Sequence, residues 1–310
     1  MNTSLTHSLT HSLTHSLTHS LTKPLATLLI AALVVVAGFA SSANAAPLWT
    51  PAEISNAAWW DASDTNTITG SPTVTAWNDK SGNNNHFTAV SDPQTDTRTI
   101  GGLNAIDFDR DSFNMTSAID LVDKSYFAVL QVDDVNDGDE DTPLGSNGSP
   151  GNSNFRFERG GAAGKLSNNT AAYTTVNSTT ALSNLTPALV GMLFDTDNMS
   201  YVFNGGSLET GGAYDGSSAA YVNAIGARGG SQDKYNGLMG EIIITDSLPD
   251  LDTRQLIEGY LAHKWDLEGS LPETHTYKDS APIIPEPTSL ALLGLGGLLI
   301  AGRRRRRRRN

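Results

Sequence analysis

The chain has 310 residues, no cysteine and a formal net charge of −13. Without cysteine there is neither disulfide cross-linking nor thiol chemistry, so an exported domain would rely on its core, assisted at most by bound metal. Setting aside Lys23 and the seven C-terminal arginines leaves 12 basic against 33 acidic residues, a charge near −21; such a surface repels nucleic acid and anionic lipid headgroups and attracts divalent cations.

In chain order, the first element is a repeat. Ser-Leu-Thr-His occurs four times from Ser4 to His19 and is followed by Ser20-Leu21-Thr22-Lys23. Histidines at four-residue spacing share one face of a helix and could hold a metal. The stretch reads better as a repeat-expanded leader, or as a start codon placed too early. Leu25 to Phe39 is almost wholly Leu, Ile, Val and Ala, and Ala43-Asn44-Ala45 supplies the small residues that a signal peptidase requires. Cleavage is expected after Ala45, with Ala46 as the mature start.

Trp49-Thr50-Pro51-Ala52-Glu53 carries helix-start chemistry: Thr50 as N-cap, Pro51 at the first helical position and Glu53 closing a capping box. A short helix is expected to about Ala57. Ten runs rich in β-branched and aromatic residues then read as strands. They are 74–77, 87–90, 105–108, 126–132, 155–158, 173–176, 189–194, 201–203, 221–225 and 238–245, separated by Gly, Asn, Asp and Ser clusters. Asn204-Gly205 directly after Tyr201-Val202-Phe203 is a type I′ hairpin signal. Many strands with no helices between them predict an all-β, two-sheet antiparallel sandwich.

One helix follows. Leu256, Ile257, Tyr260, Leu261, Lys264 and Trp265 recur at helical spacing, with Asp250 or Asp252 as cap. It is expected to cover an outer edge or face of the sandwich. Leu271 to Pro287 holds four prolines among polar residues and reads as an extended linker.

The chain ends with Pro285-Glu286-Pro287-Thr288, an apolar run from Leu290 to Ala301, and seven arginines, Arg303 to Arg309. The run is shorter than the roughly 20 residues of an ordinary membrane span, and the arginines should stay on the cytoplasmic side. Pro-Glu-Pro, short apolar helix and arginine cluster together resemble the PEP-CTERM sorting signal of exported bacterial proteins. That resemblance implies cleavage near Pro285, Glu286 and Pro287 by an exosortase, transient attachment to the membrane through the C-terminal helix, and a destination in the cell envelope, cell surface or extracellular matrix.

A second resemblance covers about Thr50–Tyr277. Trp59-Trp60-Asp61-Ala62-Ser63-Asp64, then 74–83 with Trp77-Asn78-Asp79-Lys80-Ser81-Gly82-Asn83, then Gly240-Glu241-Ile242-Ile243-Ile244, and finally Tyr260-Leu261-Ala262-His263-Lys264-Trp265 resemble laminin G-like, concanavalin A-like jelly rolls. That superfamily hosts lectins, adhesion modules and glycoside hydrolases, so it implies a jelly-roll sandwich and leaves the activity open. The expected organisation is 1–45 leader and signal peptide, 46–277 jelly roll, 278–284 linker and 285–310 sorting signal, with hydrophobic targeting helices at both ends.

Catalytic sets are sparse. Glycoside hydrolysis normally takes two carboxylates flanking the bond, and the strand at Glu241 carries Ile243 and Thr245 where same-face partners would stand. His86, His263 and His275 form no evident triad or zinc pattern. The expectation is a non-enzymatic role in carbohydrate binding or adhesion, with extracellular polysaccharide as partner; a polysaccharide-acting glycosidase and a calcium-stabilised structural protein are the alternatives. Hard oxygen ligands at high density suit calcium. Candidates are the acidic run containing Asp133, Asp134, Asn136, Asp137 and Asp139, which equally reads as a solvated loop, and the alternating oxygens at Asp79 and Asn83, which equally make an Asx-rich turn. Trp59, Trp60 and Trp77 are the candidates for stacking on a sugar, with only one of Trp59 and Trp60 expected to point inward.

Overall fold

The structure is a computed structural model that describes residues 47–136, 140–146, 154–170, 172–214, 220–229 and 232–284. The expected targeting helices and the processing positions Ala45, Ala46, Pro285, Glu286 and Pro287 lie outside the described residues. The described residues from Leu48 to Ile284 belong to one compact unit.

Seventeen strands and one α-helix make up the described part. In chain order the strands are β1 Asn56–Asp61, β2 Ile68–Thr69, β3 Ala76–Trp77, β4 Phe87–Ala89, β5 Thr99–Ile100, β6 Leu103–Asn104, β7 Ile106–Asp109, β8 Phe113–Asp120 and β9 Lys124–Val132. They continue with β10 Asp141–Gly145, β11 Asn154–Phe157, β12 Leu166–Asn168, β13 Ala188–Phe194, β14 Asn198–Phe203, β15 Glu209–Ala213, β16 Tyr221–Ile225 and β17 Asn236–Thr245; helix α1 is Leu251–Lys264. Two large antiparallel sheets result. The first runs β1-β17-β9-β13-β14-β15, with β7 also paired to β17; the second runs β12-β11-β10-β16-β8-β4-β3-β2.

The expected two-sheet sandwich is therefore present, and its strands explain their own sequences. β9 and β17 lie inside the first sheet and are buried on both faces, so they read as continuous apolar runs rather than as an alternation. Met239, Ile242 and Ile244 face the core between the sheets with Tyr126, Ala128 and Leu130. Leu238 and Ile243 face the other way with Phe127 and Val129, into a second core beneath α1. Gly191 keeps that outer face flat, since a Cβ there would meet Val202 and Phe127.

Helix α1 begins as expected: the Asp250 carboxylate accepts the Thr253 N–H at 2.8 Å, and Asp252 sits in the first turn with His263 and Lys264 in the last, both signs suiting the helix dipole. Ile257, Leu261, Ala262 and Trp265 fill the second core. The mid-helix Gly259 allows Tyr277 to cross, because a Cβ would come within 2.5 Å of that side chain.

Several expectations need correction. The N-terminal helix is a single 3₁₀ turn, Pro51–Glu53, with no side-chain cap, and Asn56 already belongs to β1. The Asn56 amide bonds back to the carbonyls of Pro51 and Ile54, tying the turn to the strand start. The run 173–176, rich in Tyr, Thr and Val, forms no strand and makes only an isolated bridge between Tyr173 and Tyr214. Conversely, β8 is eight residues long, and its Asn, Thr, Ser and Asp concealed an alternation in which Phe113, Met115 and Ile119 are buried. β10 contains Pro143, tolerated because its pairing with β11 is irregular between Asp141 and Leu144. The type I′ turn is realised, with φ +48° at Asn204 and +68° at Gly205 and Gly206 N–H donating to Phe203 O.

Residues 271–284, expected as an extended linker, pack on the domain. Leu271 and His275 are buried, Lys278 Nζ donates to the carbonyls of Glu268, Gly269 and Leu271, and Trp49 N–H donates to Pro282 O at 3.0 Å.

Candidate functional site

Four separated sequence segments meet where α1 ends on the first sheet. β1 and β17 pair so that Asp61 lies opposite Glu241 and Trp59 opposite Ile243. Opposed residues share a face with Cβ atoms about 5 Å apart, which sets two carboxylates side by side. The last turn of α1 supplies Tyr260 and Lys264, one turn apart on one face, and Trp265. The segment between β3 and β4 crosses over β1: Lys80 N–H donates to Trp59 O at 2.7 Å, and Trp59 N–H donates to Asp79 Oδ1 at 2.9 Å.

Glu241 is wholly buried and is the hub of this cluster. Its Oε1 accepts from Trp59 Nε1 at 2.7 Å and from the Tyr260 hydroxyl at 2.9 Å. Its Oε2 accepts from Lys264 Nζ at 2.7 Å and Trp265 Nε1 at 2.8 Å. Lys264 Nζ also lies 2.8 Å from Asp61 Oδ2. Lys80 Nζ reaches the same Oδ2 at 3.0 Å and Asp64 at 2.9 Å, and stands 4.4 Å over the Trp59 ring. Asp61 Oδ1 accepts from the Ser63 N–H at 3.0 Å and hydroxyl at 2.6 Å.

Two carboxylates side by side in a dry site would repel, and the two lysines offset that. Burial pushes the Glu241 carboxyl up, the Asp61 charge adds to the rise, and Lys264 only partly opposes it. Burial also works against the Asp61 charge, but Lys264, Ser63 and Lys80 outweigh it, so Asp61 ends below the usual aspartate value.

Beside this cluster a cleft of about 280 Å³ opens between the β1 entry and the 79–85 loop, lined by Ser55, Asn56, Trp59, Lys80, Asn83 and Asp246 among others. Ser55 Oγ donates to Asp246 at 2.6 Å. The Asn83 amide donates to the carbonyls of Asn56 and Ala57, and the Asn56 side-chain oxygen is buried without a protein partner.

Of the residues singled out for ligand stacking, one of Trp59 and Trp60 points into the sandwich, as alternation predicts. Trp60 and Trp77 have no exposed surface; Trp60 stacks on Phe87 at 4.4 Å inside the sandwich core and donates from its indole to Asn85 O. Neither offers a ring face to a ligand. Trp59 faces the opposite side, as alternation requires, but it is covered by Lys80 and the closing helix, leaving 7% exposed at the cleft.

Protein donors engage the oxygens of Asp79, Asp133, Asp134 and Asn136. Asp79 Oδ1 accepts from the Trp59 and Ser81 N–H groups, and Oδ2 from the Ser81 hydroxyl and the Asn85 N–H. This is the Asx-rich turn. Asp133 forms a two-pronged pair with Arg98 at 2.6 Å on each oxygen. Asp134 Oδ1 accepts from Asn136 N–H and the Asn184 amide, and Asn136 accepts from Gly160 N–H. Asp137 and Asp139 lie outside the described residues. Among the described residues, no group of three or more His, Asp or Glu side chains is placed to hold a metal.

Of the cluster residues, Glu241 stood out in the sequence as a carboxylate without a same-face partner and Tyr260, Lys264 and Trp265 as part of a helical stripe, but nothing there joined them with Asp61 and Lys80 into a site. A usable signal was present: single charges embedded in apolar runs, as in Gly240-Glu241-Ile242 and His263-Lys264-Trp265, are the pattern of buried, paired groups.

Residues 284–308 match the PEP-CTERM protein-sorting motif. No curated protein matches the chain. Among solved structures, domain 4 of AbnA, a GH43 extracellular arabinanase from Geobacillus stearothermophilus, is similar at 10% identity and a TM-score of 0.46, over 64% of this chain and 95% of that one. A GH54 α-L-arabinofuranosidase is similar at 16% identity and a TM-score of 0.45, over 60% of this chain and 50% of that one. The Trypanosoma rangeli sialidase is similar at 9% identity and a TM-score of 0.45, over 68% of this chain and 34% of that one. The chain thus spans half or less of these last two enzymes, and with such low identities and scores none of the three carries an argument about activity.

Proposed function

We infer that this is a non-catalytic surface protein that binds extracellular polysaccharide through the cleft beside Trp59. The sorting motif at residues 284–308 implies export, handling by an exosortase and anchoring to the cell envelope. Its polysaccharide ligand would place the exported protein within an extracellular matrix.

The observation that carries the binding reading is the lining of the cleft. Amides, hydroxyls, one lysine and one carboxylate surround the exposed margin of an indole, a set suited to hydroxyl-rich ligands that need both donors and acceptors. Its volume lies near the lower end of small-molecule sites, about 300–1,000 Å³, so it suits a chain end or a branch sugar. A non-catalytic role is supported by the neighbouring carboxylates: Asp61, Asp64 and Glu241 are each held by a lysine, and Asp246 stands in the cleft bonded to Ser55.

The test is a glycan array followed by titration calorimetry on the exported protein. Asp246→Ala should weaken binding by roughly fivefold, the equivalent of one hydrogen bond of about 1 kcal/mol, and no reducing ends should appear on long incubation. A silent array would remove the binding reading. Released reducing ends would replace it with glycoside hydrolysis.

A further inference from the structure

We propose that Lys264 and Asp61 condense inside the folded domain into a side-chain amide that fastens the closing helix covalently to β1. Four features of the cluster converge on this chemistry.

The reacting groups are already in contact, with Lys264 Nζ 2.8 Å from Asp61 Oδ2. Folding supplies that proximity, which removes most of the entropic barrier to joining two groups. Water is largely excluded: the side chains of Lys264, Asp61 and Glu241 are 19%, 5% and 0% exposed. A proton carrier touches the amine, since Glu241 Oε2 is 2.7 Å from Nζ, and burial has made that carboxyl a better proton acceptor than a free one. Finally, the two oxygens of Asp61 are held unequally. Oδ1 receives the Ser63 N–H and hydroxyl, donors placed where negative charge develops during attack, while Oδ2 faces both ammonium groups.

The step balances without any further reactant. The ion pair first exchanges its proton, leaving Lys264 as the neutral amine and Asp61 as the neutral acid protonated on Oδ2; the lone pair then attacks Cγ, forming the C–N bond and placing charge on Oδ1. The nitrogen gives up one proton to Glu241, which hands it to Oδ2, and Oδ2 departs as water while the carbonyl re-forms at Oδ1. Ammonium plus carboxylate becomes amide plus water, with no change of oxidation state.

Lys80, the other amine at Asp61, is a poorer nucleophile. Its remaining partner is Asp64, held below the usual aspartate value chiefly by Lys80 itself, and its charge sits over the Trp59 ring, which favours the ammonium. The bond would give this cysteine-free, exported chain a cross-link that no reductant opens.

The experiment is peptide mapping by mass spectrometry of the full-length chain and its exported form after complete denaturation and trypsin digestion. The expected result is that the Asp61 and Lys264 peptides are recovered as one branched species, lighter than their sum by one water, with no cleavage after Lys264. Asp61→Asn should reach the same product by expelling ammonia. Lys264→Arg keeps the positive charge and should lose the branched species while retaining the β-rich circular dichroism of the parent. Glu241→Gln should abolish or greatly slow the linkage. Separate peptides with normal cleavage after Lys264 in the folded parent protein would overturn the proposal, and so would a branched species joined through Lys80.

Discussion

Asp79 shows how one side chain organises a loop. Four donors from Trp59, Ser81 and Asn85 saturate its two oxygens, and its own N–H donates to His86 Nδ1. Asp79→Ala should therefore destabilise the domain by about 1–3 kcal/mol, the range for stranding buried donors. Urea unfolding should give the same loss in calcium and in chelator; a calcium-dependent difference would favour a bound cation at this turn. The acid response follows from the carboxylates whose values fall below the usual one. For Asp133, burial opposes the charge but Arg98 and Gln131 prevail; Asp61 in chains where it is not joined to Lys264 responds alike, its burial outweighed by Lys264, Ser63 and Lys80. A lowered folded-state value means that the unfolded chain binds more protons, so stability rises with pH across the window. The contribution is present above the ordinary 3.8 and is lost as pH falls below it. Glu241 has the opposite sign: raised above 4.5 by burial, it makes the fold lose stability as pH climbs from 4.5 towards its folded value. Unfolding midpoints measured from neutrality into acid should pass through a maximum rather than rise steadily to pH 7.

Among the elements, the contact between β17 and α1 is the most sharply determined. Gly240 has no side chain because Trp265 occupies that space: a Cβ would stand 2.8 Å from the indole ring. Gly240→Ala should push Trp265 off the sheet and cost about 1–3 kcal/mol, as overpacking does. Near-ultraviolet circular dichroism and denaturant midpoints would register it, and an unchanged midpoint would show that the helix seats less tightly than these distances imply. The same seat explains the unusual content of the helix. Tyr260, Lys264 and Trp265 send polar atoms to Glu241, while Ile257 and Leu261 fill the apolar core around it. Burying an ion group in this way stabilises little relative to an apolar substitute, but removing one partner is costly.

For the whole molecule, the C-terminal sorting motif and the folded middle are separate devices. A chain ending at Ile284 keeps every described residue yet lacks the sorting motif. It should be exported and then appear in the medium rather than on the cell, as fractionation followed by immunoblotting would read. Retention on the envelope would mean that the sandwich itself provides the attachment. The strap over 271–284 belongs to the domain, since it packs on the helix and meets the first strand entry at Trp49, so truncation further back should cost stability as well as location.

Much of this was legible in the chain before folding. Hydrophobic period, turn residues and caps are local, so the sequence alone determined the β class, the central strands around 126–132 and 238–245, the Asn204-Gly205 turn, a helix cap at Asp250 or Asp252 and the sorting tail. β8 and β10 escaped because polar residues and a proline masked strands whose stability comes from neighbours rather than from propensity. Which tryptophans are covered, and that Asp61, Lys80, Glu241 and Lys264 form one charge cluster, was decided only by tertiary structure. A strand pairing, a crossing loop and a helix end bring those four side chains together across most of the chain, and burial and charge neutralisation are properties of that juxtaposition, not of any segment by itself.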